Sequence, residues 1–516
     1  MKKIISYILN ACMLLCIFSF TQMEAAWNLP AVPISSTNSN SPEIGIDSHG
    51  NAVAIWQGSN GSNSIIMGAT LPTGGGWTTP VNISVAGQDA TVPQVAVDSH
   101  GNAVAVWVRS DGTNTIIQGA VLPFGASSWT PTSDLSLPGA DAFVPQVALD
   151  PHGNAVAVWQ RINILGRNVT QGATLAFGEL FWTPTSDLSA APEDTYVPQL
   201  GVDQNGNAVA VWSNVTYQTI QAATLPFGSA LWSPFTTISG TQAGTPEVAV
   251  NAAGYAIAVW ARDNSGLFEI ESATLPFGGS WSSPLSVSSG ALNFEPIVAI
   301  DHAGNATALW SNSTGSDIFA QAATLAFGAT SWSSTTTLTN TGEQAFDVRV
   351  AVDQAGNAIA IWDNTVGTDT LIQSATLPFG GSWSSVTTLS SVGEIADFPQ
   401  IAVDHTGLAV ANWTNETQTK IFAASWFPAP AVTSVSPHQG STAGGNMVVI
   451  HGVNFVNVSG IAFGTNTVSD FTVISPTVIH ATAPAGAAGT VNVTVTTASG
   501  TSSTTPNDQY TYRIHR

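Results

Sequence analysis

Apolar residues in this chain fall in short alternating runs that meet across a tight polar turn, and this pair of runs is written eight times. It reads SPEIGIDSHGNAVAIW to Trp56, VPQVAVDSHGNAVAVW to Trp107, VPQVALDPHGNAVAVW to Trp159 and VPQLGVDQNGNAVAVW to Trp212. It continues through Trp260, Trp310, Trp362 and Trp413, with successive tryptophans 48 to 53 residues apart. In the second unit, Gln94 to Asp98 is one strand-like run and Asn102 to Trp107 its return. Gly101 in the turn supplies a left-handed backbone, and Asp98 can bond the turn through its side chain. Thr115 to Leu122 and Trp129 to Leu135 read as two further strands. A period near fifty residues built from short strands predicts a propeller or a solenoid.

The alternation separates these two. Val104 and Val106 face one way, and Ala103, Ala105 and Trp107 the other, so both faces are apolar. That suits a sheet packed between two neighbours, as in a propeller blade. The outer-strand pattern also begins early, at Trp27-Asn28-Leu29-Pro30, and recurs from Trp77 to Trp383. The eighth unit stops at Trp426-Phe427-Pro428 without an outer strand of its own. The phase predicts that Trp27 to Ser35 supplies it and closes the ring, removing the bare edges an open solenoid would leave. The eight repeated tryptophans are expected to be packing residues.

The hairpin P-x-VAVD-x-x-GNA-VAVW resembles the NHL and related bacterial β-propeller repeats over residues 27 to about 428. That resemblance implies an innermost VAVD strand with sheets radiating outward. After Pro428-Ala429-Pro430, the segments Ser434 to Pro437, Gly444-Gly445, Val448 to Gly452, Asn454-Phe455, Phe463-Gly464 and Tyr510-Thr511-Tyr512 resemble the IPT/TIG family. This implies an immunoglobulin-like β-sandwich that spaces or docks other domains. Gly444-Gly445 reads as a hairpin turn, and Val491, Val493 and Val495 as a half-buried strand. The expected fold is all-β: an eight-bladed β-propeller of four-stranded blades over residues 27–428 and an immunoglobulin-like module over 429–516.

Composition narrows the function classes. Only 8% of residues are charged and the formal net charge is −22. Beyond the first residues the one lysine is Lys420. Nucleic acid and anionic lipid are poor partners for such a chain. The start, MKKIISYILNACMLLCIFSFTQMEAAW, reads as a signal peptide over residues 1–26, with Lys2 and Lys3 ahead of an apolar run. The expected location is therefore extracellular, cell-surface or periplasmic, with no membrane insertion after cleavage. Cys12 and Cys16 both lie in this leader, which leaves the mature chain without thiol or disulfide. A monomer is expected.

No catalytic motif is found: there is no His-Glu-x-x-His, Gly-x-Ser-x-Gly or phosphate-binding glycine loop. Neither cofactor nor metal is expected. The repeated turn aspartates, Asp47 and Asp98 among them, read as turn caps because neighbouring blades hold them too far apart to share an ion. The loops entering the inner strands carry Asp89, Asp141, Glu193, Asp194, Glu295, Glu343, Asp347, Glu394 and Asp397, with aromatics Phe143, Tyr196, Phe294, Phe346 and Phe398. Arg109, Arg161 and Arg262 follow the repeated tryptophans by two residues. A propeller gathers these loops on one face. Asp89, Asp141, Phe143, Asp194, Tyr196, Arg109, Arg161 and Arg262 are the candidate ligand-binding residues. The expected function is an exported, non-enzymatic binding protein for a carbohydrate or protein partner. The alternatives are a carbohydrate-active enzyme and a structural spacer or adhesin stalk.

Overall fold

The computed structural model describes residues 26–514, apart from 191, 230, 289–291 and 498. The leader assigned to residues 1–26 thus lies, except for Ala26, outside the described residues. The chain divides into two compact units, one of them Trp27–Trp426. That unit is an eight-bladed β-propeller. In the second blade the inner strand is Ala90–Val97, the second Ala103–Ser110, the third Thr115–Leu122 and the outer Ser133–Asp134. These pair antiparallel in sequence order, and the same arrangement recurs in each blade.

The eighth blade is completed from the other end of the sequence. Val32–Pro33 pairs antiparallel with the third strand Lys420–Phe427, matching Val32 to Ala423 and Pro33 to Phe422. Asn28 N–H reaches the Ser425 carbonyl at 2.7 Å and Ile34 N–H the Ile421 carbonyl at 2.8 Å. The buried Trp27 takes the place of the missing outer tryptophan. It packs edge-on to Trp426 at 5.8 Å and donates its indole N–H to Ser374 Oγ of blade 7 at 3.2 Å. The N-terminal strand therefore closes the ring, as the phase of the repeat predicted.

Alternation becomes blade stacking. Ala103, Ala105 and Trp107 pack with Val53 and Ile55 of the first blade. Val104 and Val106 pack with Ala155, Ala157 and Trp159 of the third. Alanine on one face lets the sheets approach while valine and tryptophan fill the space between. All eight repeated tryptophans are fully buried.

The turn motif locks each blade. Asp150 Oδ1 accepts the backbone N–H groups of His152 and Asn154 at 2.8 and 2.9 Å, and its Oδ2 accepts Asn154 Nδ2–H at 2.7 Å. Asn154 Oδ1 in turn accepts the Phe177 N–H at 3.0 Å, tying the hairpin to the Pro/Ala-Phe-Gly turn after the third strand. Asn251 replaces Asp in blade 5 and accepts the same two backbone donors. Glycine is required at Gly206, where φ is +84° and a Cβ would lie 2.5 Å from Phe227 and 2.9 Å from Asp150 of the preceding blade. Asp150→Ala is expected to cost about 1–3 kcal/mol through orphaned buried donors. His152→Ala, beside it but exposed, is expected to stay within about 0.5 kcal/mol. Urea unfolding of both variants checks this.

The C-terminal module has two sheets. Ala431–Ser436, Met447–Val453, Val478–Thr482 and Phe471–Ser475 form one. Gln439–Ser441, Gln509–Arg513, Gly489–Thr497, Gly460–Phe463 and Asn466–Thr467 lie along the other. Val448, Ile450, Phe463, Ile479, Val493, Val495 and Tyr510 form the core between them. Gly444-Gly445 is not the hairpin turn the sequence suggests. Ser441 and Met447 belong to different sheets, so the glycines carry the chain across the sandwich, with the Gly445 N–H bonded to the Ala483 carbonyl at 2.9 Å.

Candidate site at the channel mouth

Each inner strand is broken once, at the same place. The register slips between Thr91 and Gln94 in blade 2 and at the equivalent step in every blade. The bulged residues are Ser41, Val92, Val144, Val197, Thr245, Glu295, Asp347 and Phe398, all non-glycine with φ between 45° and 56°. A proline follows seven of them, placed where the ladder has no bond for its missing N–H to lose. Left-handed valine is a backbone outlier costing roughly 1–3 kcal/mol. Eight such bulges encircle one end of the propeller, where the inner strands converge. Bulges of this kind re-aim side chains beside functional sites.

Below the bulges a belt of side chains lines the channel: Glu43, Gln94, Gln146, Gln199, Glu247, Ile297, Arg349 and Gln400, all half-buried. Six of them bond to neighbours in two groups. Arg349 Nε–H donates to Gln400 Oε1 at 3.2 Å, and Gln400 and Gln94 donate their amides to Glu43 Oε1 at 3.4 and 2.9 Å. Gln199 donates to Glu247 at 2.7 Å. This chain crosses the seam between the eighth blade and the first. Burial pushes the carboxyls of Glu43 and Glu247 up to about 7, against the opposing pull of the Arg349 charge.

Above blades 6 to 8 the rim is acidic. Burial pushes Asp363 up to about 8, assisted by the charges of Asp347, Asp397 and Glu295. Burial, then the charges of Glu416 and Asp347, raise Asp397. Burial and the Asp347 charge raise Glu295. One oxygen of the buried Asp363 carboxyl has no hydrogen-bond partner. The arc thus gathers carboxyls that burial and one another's charges push upward. Across the ring, blades 2 to 4 present Val92, Val144 and Val197 at the same position. The mouth is acidic on one side and apolar on the other.

The residues singled out from sequence are distributed differently. Asp89, Asp141 and Asp194 each accept the backbone N–H that begins the third strand of the preceding blade, from Ser64, Thr115 and Asn168 at 2.8–2.9 Å. They latch blade to blade. Asp194 also pairs with Arg167 at 3.1 Å; its bonds to Asn168 and Arg167 outweigh partial burial and lower its pKa. Glu193, Glu343 and Glu394 are likewise engaged, by Asn214, Asn364 and Gln418. Arg109 bonds Gln118 and Arg262 bonds Glu271 within their own blades, while Arg161 and Arg262 also hold the Pro138 and Thr241 carbonyls of the connections arriving from the preceding blades. Phe143 and Tyr196 sit directly before the bulges of blades 3 and 4, Tyr196 exposed. Of the wider loop set, the structure brings Glu295, Asp347 and Asp397 together. Sequence reading missed Asp363 and the channel belt. The available signal was the polar position that follows six of the seven prolines in an otherwise apolar strand.

Fold and site together define a class: a closed eight-bladed propeller with a polar channel and a variable mouth, on a chain that also carries an immunoglobulin-like module. That module is an IPT/TIG domain, since residues 430–512 match the IPT/TIG family model. No curated protein matches the chain. Among solved structures it is similar to a PL25 ulvan lyase (11% identity, 76% of this chain and 95% of the other, TM-score 0.44). It is also similar to a fungal alcohol oxidase of the AA5 family (11%, 95% and 100%, TM-score 0.44). A third is the intramolecular trans-sialidase from Ruminococcus gnavus (10%, 64% and 90%, TM-score 0.38). Likenesses this distant carry no argument about activity.

Proposed function

We propose that this is an exported, non-enzymatic binding protein that holds a carbohydrate or protein ligand at the propeller mouth. One observation carries the reading. The turn, the tryptophan and the blade faces repeat almost unchanged, whereas the bulge position changes from serine to valine, threonine, glutamate, aspartate and phenylalanine around the ring. A scaffold explains the repetition; strained, exposed and varied residues at a convergence point are what a ligand selects. The acidic arc and the facing valines suit an amphipathic ligand offering hydroxyl or cationic donors on one side. Glycan and basic-peptide arrays with the full chain test it. A ligand should be retained by the wild type and weakened about tenfold or more by Glu295→Gln with Asp347→Asn, as expected for hydrogen bonds to charged groups. No ligand on either array sinks the reading and favours a structural spacer.

One observation favours a second reading, a carbohydrate-active enzyme. Burial, with the charges of Asp347 and Asp397, pushes the Asp363 carboxyl up to about 8, and environments that push neighbouring carboxyls apart separate an acid from a base. Turnover of a glycoside that Asp363→Asn abolishes would establish it.

A further inference from the structure

The end of the propeller opposite the mouth, where the Asp-x-x-Gly turns lie, carries a second regular feature. Phe124, Phe177, Phe227, Phe277, Phe327 and Phe379 occupy the same turn in blades 2 to 7, each 55–63% exposed. Each lies against the turn glycine of its own blade, and in all but blade 6 that glycine also neighbours the turn aspartate of the blade before. Crevices open between these elements. The one between blades 6 and 7 has a volume of about 590 Å³, and its counterpart between blades 4 and 5 about 210 Å³. Small-molecule sites run to roughly 300–1,000 Å³, so only the first has the size of a full site.

The occupant can be argued from the chain itself. Blade 5 has Tyr255 where blades 1 to 4, 6 and 7 have asparagine, as in blade 6 with Asn305. The Tyr255 ring reaches across to Phe327 of blade 6 and packs edge-on at 5.1 Å. The crevice between blades 5 and 6 is thus filled by a six-membered ring bearing a hydroxyl. Between blades 6 and 7 the equivalent space is open. Its walls are Phe379 and Trp383 on one side and Thr307, Ser334 and Thr336 on the other. The one charged residue among them, Asp301, has both oxygens engaged by Asn305 at 2.7 Å. The lining therefore offers aromatic surface and hydroxyls without a free charge. A pyranose ring matches it in size, in its apolar C–H face and in its neutral hydroxyls.

We propose that the crevice between blades 6 and 7 is a binding site for a neutral pyranose sugar, separate from the channel mouth. Saturation-transfer NMR of the full chain with a neutral hexose, a 6-deoxyhexose and an N-acetylhexosamine tests this. At least one should bind, and Phe379→Ala should weaken it about tenfold through loss of the aromatic contact. Ser382→Tyr, on an exposed loop position, should block the crevice without removing core contacts. Tyr255→Asn should open the crevice between blades 5 and 6 and add a site. Absence of sugar binding, or binding undiminished in both Phe379→Ala and Ser382→Tyr, overturns the proposal. Sugar binding lost only in Asp347→Asn also overturns it, assigning the sugar to the mouth instead.

Discussion

Trp27→Ala is expected to destabilise the propeller by about 3–5 kcal/mol, the range for removing a large buried aromatic side chain. The residue lies early in the sequence, where truncation is often harmless. Here it is a core residue of blade 8, packed with Trp413, Phe422 and Ile361 and bonded to Ser374 of blade 7. Deleting residues 27–35 should do more. The strand Lys420–Phe427 would become an open edge, and the seam between first and last blades would lose its clamp. Aggregation or loss of the cooperative transition is expected on size-exclusion chromatography and in urea unfolding. A Trp27→Ala cost below about 1 kcal/mol would mean that the ring closes without this strand.

The second large effect is on pH dependence. Unfolded, Glu43 and Glu247 titrate near 4.5; in the channel belt they titrate near 7. Between those values these two groups bind two more protons in the folded state than in the unfolded one, so stability falls as pH rises. The slope is roughly 1.4 kcal/mol per pH unit for each group. The contribution is fully present below pH 4.5 and lost on passing through about 7. Asp363, at about 8, extends the decline upward. The thermal midpoint should accordingly be higher at pH 5 than at pH 8. Glu43→Gln with Glu247→Gln keeps the shape of the belt and removes the titration. It should flatten the profile and raise the midpoint at pH 8. An unchanged profile in the double variant would show that the belt is solvated as freely as the surface.

Much of the fold was legible because it rests on local rules. Val104 and Val106 against Ala105 and Trp107 displayed a two-faced sheet, and the displaced outer-strand pattern at Trp27 displayed the closure. The site was less legible because it exists only where strands far apart in sequence converge. Gln94 looks like any polar position of an alternating strand, and becomes part of a belt only beside Glu43. Asp363 looks like one more residue after a tryptophan, and is perturbed because the fold buries it and brings the charges of Asp347 and Asp397 from neighbouring inner strands beside it. Conversely, Asp89, Asp141 and Asp194 looked free because the backbone donors that hold them belong to the preceding blade. Gly444-Gly445 misled for the same reason: a pair of glycines marks a turn but does not say which sheets it joins.

The account separates a repeated scaffold from a varied mouth, and places recognition of the mouth ligand in the second, independent of the neutral-sugar crevice at the opposite end. The direct measurement compares array binding by three full-length proteins: wild type, Glu295→Gln with Asp347→Asn, and the turn variant Asp150→Ala, well below its melting temperature. The account predicts that the mouth variant loses the ligand while the turn variant, though less stable, keeps it. Binding that survives at the mouth variant and fails at the turn variant would contradict it.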